Sequence, residues 1–176
     1  MALEGSFRAR LGLVLCALLA LTGCASARGT AAEPATDGAD ERFAIARAIT
    51  DTARAVTDFP RTADPESVLR FYTPDYDAIQ DGDRQTLADV RRLLEALKVR
   101  IDSGAPIQMV ARTTNIRVDL VNATTGWATY DLVFAIAAGG QVAVQQRARC
   151  SALYRKPADA WLVRHEHCST QRGERR

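Results

Sequence analysis

The chain has 176 residues, 47% hydrophobic and 25% charged, which suits one globular domain and excludes a wholly disordered, collagen-like or multispan membrane chain. Its 23 Lys and Arg against 21 Asp and Glu leave a formal charge of +2, so no one-sign field points to nucleic acid. Four cysteines are too few for a disulfide-framework mini-protein.

Residues 1–23 have the form of an export signal. Arg8 and Arg10 precede an apolar run from Leu11 to Leu21, which is shorter than the roughly 20 residues needed to span a bilayer. Leu21-Thr22-Gly23-Cys24 resembles the lipobox of bacterial lipoprotein precursors. That resemblance implies lipidation of the Cys24 sulfur, cleavage before it, and anchoring to the cell membrane or outer membrane on the extracytoplasmic side. Two or three acyl chains suffice for stable anchoring. Residues 24–39 are small or polar and cannot offset ordering entropy by burial, so they are expected to form a tether of about 20–25 Å.

One domain is expected over residues 40–171, followed by a short basic tail at 172–176. Asp40 to Phe59 has the spacing of a helix, with Ile45, Ile49, Ala53 and Val56 on one face and Phe59-Pro60 as the stop. Asp64-Pro65-Glu66 signals a second, short helix. Tyr76 to Ile79 reads as a strand before the turn at Asp81-Gly82-Asp83. A third helix starts at Thr86, with Asp89 completing a weak capping box and Leu87, Val90, Leu93, Leu94, Leu97 and Ile101 as its stripe. After Pro106 the period becomes two. Ile116-Val118-Leu120 and Ala128-Tyr130-Leu132-Phe134-Ile136 alternate with polar residues, Gly139-Gly140 is a hairpin signal, and Val142–Arg155 and Trp161–Ser169 form a last pair. Three helices followed by a mostly antiparallel meander give an α+β fold.

A four-residue loop at 156–159 would set Leu153 opposite Leu162 and Arg149 opposite Glu166. His165 and His167 then face inward with Trp161 and Val163, and Glu166 outward. In this register Cys150 lies opposite His165 and Cys168 points to the other face, which opposes a disulfide. Export to an oxidising compartment favours one, and a single bulge near His167 would reconcile the two.

The order of elements resembles the nuclear transport factor 2-like superfamily. The ending Trp161-Leu-Val-Arg-His165-Glu-His167-Cys-Ser169 and the segment Phe71-Tyr72-Thr73-Pro74-Asp75-Tyr76 resemble those of SnoaL-like members. The resemblance covers about residues 40–170. It implies helices on a curved sheet enclosing a conical pocket, and its members include ketosteroid isomerase, polyketide cyclases and dehydratases, so it implies no single activity.

Within that frame His165 and His167, two apart on a strand, have three readings. They are metal ligands with Asp77 or Cys150, a pocket pair supplying an acid or base, or satisfied inner-layer histidines. The third is the commonest, and no metal or cofactor is expected. In ketosteroid isomerase-like sites a Tyr and a protonated acid hold an oxyanion while another acid moves a proton. Asp77 is the one inward acid this pattern suggests, and Tyr130 the tyrosine; a core role for Tyr130 is the alternative. Gln146 bonds a ligand or a backbone group. Tyr72, Tyr76, Tyr130, Gln146, Trp161, His165 and His167 are the expected pocket residues. The leading expectation is a lipid-anchored module that binds a small apolar ligand or a protein partner without catalysis, with a homodimer through the sheet as a further partner reading. The alternative is an isomerase, cyclase or dehydratase using a pocket His and acid.

Overall fold

The computed structural model of the chain describes residues 38–171. The expected export signal, Cys24, most of the expected tether and the basic tail lie outside the described residues. Helix α1 (Ala39–Thr62) presents Ile45, Ile49, Ala53 and Phe59 to the interior. It does not stop at Phe59-Pro60, as the sequence suggests. Pro60 forfeits only one hydrogen bond this close to the end, and the helix closes at Ala63, whose N–H donates to the Phe59 carbonyl at 2.8 Å. Helix α2 (Glu66–Leu69) buries Val68 and Leu69. Strand β1 (Tyr72–Gln80) turns at Asp81-Gly82 into β2 (Asp83–Thr86). Helix α3 (Leu87–Asp102) begins at a complete capping box, in which the Thr86 hydroxyl accepts from the Asp89 N–H and the Asp89 carboxylate accepts from the Thr86 N–H. Its inward residues are Leu94 and Leu97; Leu93, expected in the core, is 49% exposed.

Strands β3 (Ile107–Asn122), β4 (Thr125–Ala138), β5 (Gln141–Arg155) and β6 (Leu162–Thr170) complete a six-stranded sheet of order β2-β1-β6-β5-β4-β3. Only β1 and β6 run parallel. This is the expected α+β architecture, with helices packed on a curved, mostly antiparallel sheet. Gly139 and Gly140 both have positive φ, which a two-residue hairpin connection between β4 and β5 requires.

The last hairpin departs from the predicted register twice. Its loop holds six residues rather than four, because Trp161 leaves the strand and packs against the start of α1. There its Nε1 donates to Glu41 at 2.6 Å, and the same carboxylate accepts from Lys156 Nζ at 2.7 Å. That shift of two residues preserves the faces. The second departure is a bulge. Tyr154 pairs with Val163 but Leu153 pairs with His165, so Arg164 is the extra residue. The parallel pairing of β1 and β6 also slips there, between Tyr72 and Asp77. The Arg164 guanidinium joins the two irregularities, with Nε 2.8 Å from Asp75 Oδ2 and NH1 3.0 Å from Asp77 Oδ1. Beyond the bulge every residue of β6 changes face. Glu166 turns inward, His165 and His167 outward, and Cys168 comes opposite Cys150, to which it is joined by a disulfide with a Cα–Cα distance of 4.1 Å.

Candidate active site: an acid ringed by tyrosines

A pocket of about 440 Å³ lies between the helices and the inner face of the sheet. The period-two pattern explains its room and its lining. Ala128, Ala148, Cys150 and Ala152 are small residues on the inner face, and large Tyr130 and Tyr154 share that face. Most of the wall is apolar, from Ile49, Ala53 and Val56 of α1, Val90 and Leu93 of α3, and Leu132, Phe134 and Ile136 of β4. The exposed Leu93 is therefore a wall residue, not a core residue.

One end of the pocket is polar. Glu166 is half-buried and accepts hydrogen bonds from the Tyr130 hydroxyl at Oε1 and from the Tyr76 hydroxyl at Oε2, the latter at 3.3 Å. Tyr72 packs edge-on against Tyr76 with ring centroids 4.6 Å apart, and Tyr154 lines the same pocket. Loss of water pushes the Glu166 carboxyl above its ordinary value of 4.5; the two tyrosine donors and His165 oppose that shift without cancelling it. Burial, reinforced by the Glu166 charge, pushes all four phenols up as well, so they are neutral at neutral pH. Gln80, Gln85, Gln146 and Thr113 add neutral polar groups to the lining. Gln80 Nε2 is buried without a hydrogen-bond partner, and Gln146 Nε2 donates to the Thr170 hydroxyl at 2.7 Å. Among the described residues that line the pocket, none is Lys, Arg or His.

The sequence reading placed Tyr72, Tyr76, Tyr130 and Gln146 in the pocket, and all four line it. Four of its other choices are corrected. His165 and His167 do not line the pocket, because the Arg164 bulge turns them to the outer face. There His165 Nδ1 lies 2.8 Å from Asp77 Oδ1, and His167 is exposed. Asp77 also faces outward, with Arg164 and Arg84 beside it, and the hydrogen bonds and charges of His165 first and then Arg164 lower its carboxyl pKa. Trp161 is buried at the start of α1, away from the pocket lining. Two residues were missed. Tyr154 is in phase with Ala152 and Cys150 and was legible. Glu166 was assigned outward, and only the bulge reverses it. Among the described residues the cluster with metal-ligating atoms is Cys150, Glu166 and Cys168, and its two sulfurs are bonded to each other.

The model of the SnoaL-like domain family matches residues 42–172. No curated protein matches the chain. Solved structures share the fold at low identity. A candidate aromatic ring hydroxylase from Novosphingobium aromaticivorans superposes with a TM-score of 0.62 at 17% identity, over 76% of this chain and 90% of its own. A candidate scytalone dehydratase from the same organism gives 0.60 at 14%, over 76% and 85%. A nuclear transport factor 2-like protein with a cystatin-like fold, also from that organism, gives 0.56 at 12%, over 82% and 94%.

Proposed function

The chain belongs to the SnoaL-like domain family, and from that premise we propose that its pocket binds a small, largely apolar molecule through one hydrogen-bonding end. The observation that carries this reading is the convergence of the Tyr130 and Tyr76 hydroxyls on Glu166 at one end of an otherwise apolar pocket. An apolar wall with a few convergent polar groups is the usual form of a small-molecule site. Leu132→Trp would fill the pocket from β4. The purified chain is expected to carry a small molecule detectable by mass spectrometry, or to bind one from a hydrophobic fragment panel, and the Trp variant to lose it. Equal uptake by both proteins would refute the reading.

A proton-transfer enzyme of isomerase, cyclase or dehydratase type is the second reading. It is favoured by the raised pKa of Glu166, an acid positioned on a pocket wall, and it uses no histidine. The dehydratase-like neighbour accords with it at the level of fold. Turnover that survives Glu166→Gln unchanged would exclude it. We also propose that Cys24 carries lipid and holds the domain at the membrane. No described helix is long and apolar enough to cross one. Cys24→Ser is expected to release the protein to the soluble fraction or leave an unprocessed precursor.

A further inference from the structure

We infer that the ligand's hydrogen-bonding end is a protonated amine, seated on Glu166 among the tyrosines. This rests on the ligand-binding reading above and names the chemistry of the head. The hydrogens and the charge at that end of the pocket select this head. A phenol has one O–H to give. Tyr130 and Tyr76 both give theirs to Glu166. Tyr72 and Tyr154 line the same pocket. Two of the four phenols therefore offer this end of the pocket lone pairs and no hydrogen, while the O–H groups of Tyr72 and Tyr154 are not given to Glu166. The carboxylate accepts two bonds and has about four lone-pair sites, so it too retains acceptor capacity.

Glu166, accepting both hydrogens as a carboxylate, brings a negative charge to this end, and among the described lining residues none is cationic to pair with it. A buried charge is stable when it is paired. A carboxylate head would set like charge against Glu166, and a carbonyl, which Tyr72, Tyr154 or the unpartnered Gln80 Nε2 could hold, would leave that charge unpaired. A hydroxyl brings one hydrogen and no charge. An ammonium group brings three hydrogens and the missing counter-charge, in surroundings where water does little to weaken the attraction. The apolar wall from Val56, Leu132 and Phe134 would hold the carbon skeleton.

Three probes share a skeleton and differ in the head: 2-phenylethylamine, 2-phenylethanol and phenylacetate. Their affinities for the purified full chain are measured by calorimetry at neutral pH. The amine is expected to bind about tenfold or more tighter than the alcohol, the worth of a hydrogen bond to a charged group, and phenylacetate weakest. Glu166→Gln keeps an oxygen for the tyrosines but removes the charge, and should erase the amine's advantage. Because that variant perturbs a hydrogen-bonded cluster, the wild type supplies a second readout. Its amine affinity should fall with decreasing pH as Glu166 takes up its proton, while the alcohol's stays level. Equal binding of amine and alcohol, tighter binding of phenylacetate, or an amine preference that persists in Glu166→Gln would overturn the inference while leaving the pocket reading intact. Failure of all three probes, together with no effect of Leu132→Trp on small-molecule uptake, would overturn both.

Discussion

The disulfide between Cys150 and Cys168 fixes the same register that turns Glu166 into the pocket, so removing it tests the fold and the site together. Cys150 pairs with Cys168 and Ala152 with Glu166, two residues along the same ladder and on the same face. The bond closes a loop between residues 18 apart. In the chain-entropy account, closing about 18 residues in the unfolded chain is worth roughly 3 kcal/mol at 25 °C. Both cysteines are buried, at 1% and 4% exposure, so truncation to Ala also loses packing. The double variant Cys150→Ala, Cys168→Ala is therefore expected to be about 3–4 kcal/mol less stable by urea denaturation. Adding reductant should lower the wild type by a similar amount and leave the double variant unmoved. Peptide mapping of the unreduced protein should recover the two cysteines in one linked pair. A loss below about 1 kcal/mol, or an equal response of both proteins to reductant, would refute the reasoning.

Three further outcomes follow from single positions. Glu166 has a raised folded-state pKa, so the stability it contributes is complete below its unfolded value of about 4.5 and declines as pH rises through the folded value; measured against pH, the stability of Glu166→Gln relative to wild type should therefore increase over that upward range, and a flat difference would show that the carboxyl is not desolvated. Gln80→Met removes a buried amide nitrogen that has no partner, and should raise the urea stability of the ligand-free protein by about 1 kcal/mol; a loss of that size would mean that the amide is satisfied. Leu94→Ala should cost about 2–4 kcal/mol and Leu93→Ala under about 1, since Leu94 is 3% exposed and Leu93 49%; the reverse order would misplace the inner face of α3.

What the sequence made legible depended on whether local rules were enough. The capping box at Thr86-Asp89, the Gly139-Gly140 hairpin and the in-phase run Tyr130-Leu132-Phe134-Ile136 are set by residues close to one another in the chain, and each appears where its pattern placed it. The face of Glu166 is set by residues far apart. Period two carries the correct phase through Val163 and then fails at Arg164, because Asp75 and Asp77, nearly 90 positions earlier, hold the guanidinium of an extra residue. The loop length failed for the same reason, since Trp161 and Lys156 are drawn off the hairpin by Glu41. A sign of the true register was nevertheless present. Two cysteines on adjacent strands of a chain whose sequence predicts export face each other only if one bulge lies between the turn and Cys168. Any bulge in that interval before Glu166 also exchanges the inward roles of the histidines and the glutamate. Taken as a constraint on the ladder rather than as a separate question, the cysteine pair would have moved the acid inside and the histidines out, and replaced a histidine-based site with one built on tyrosine and glutamate.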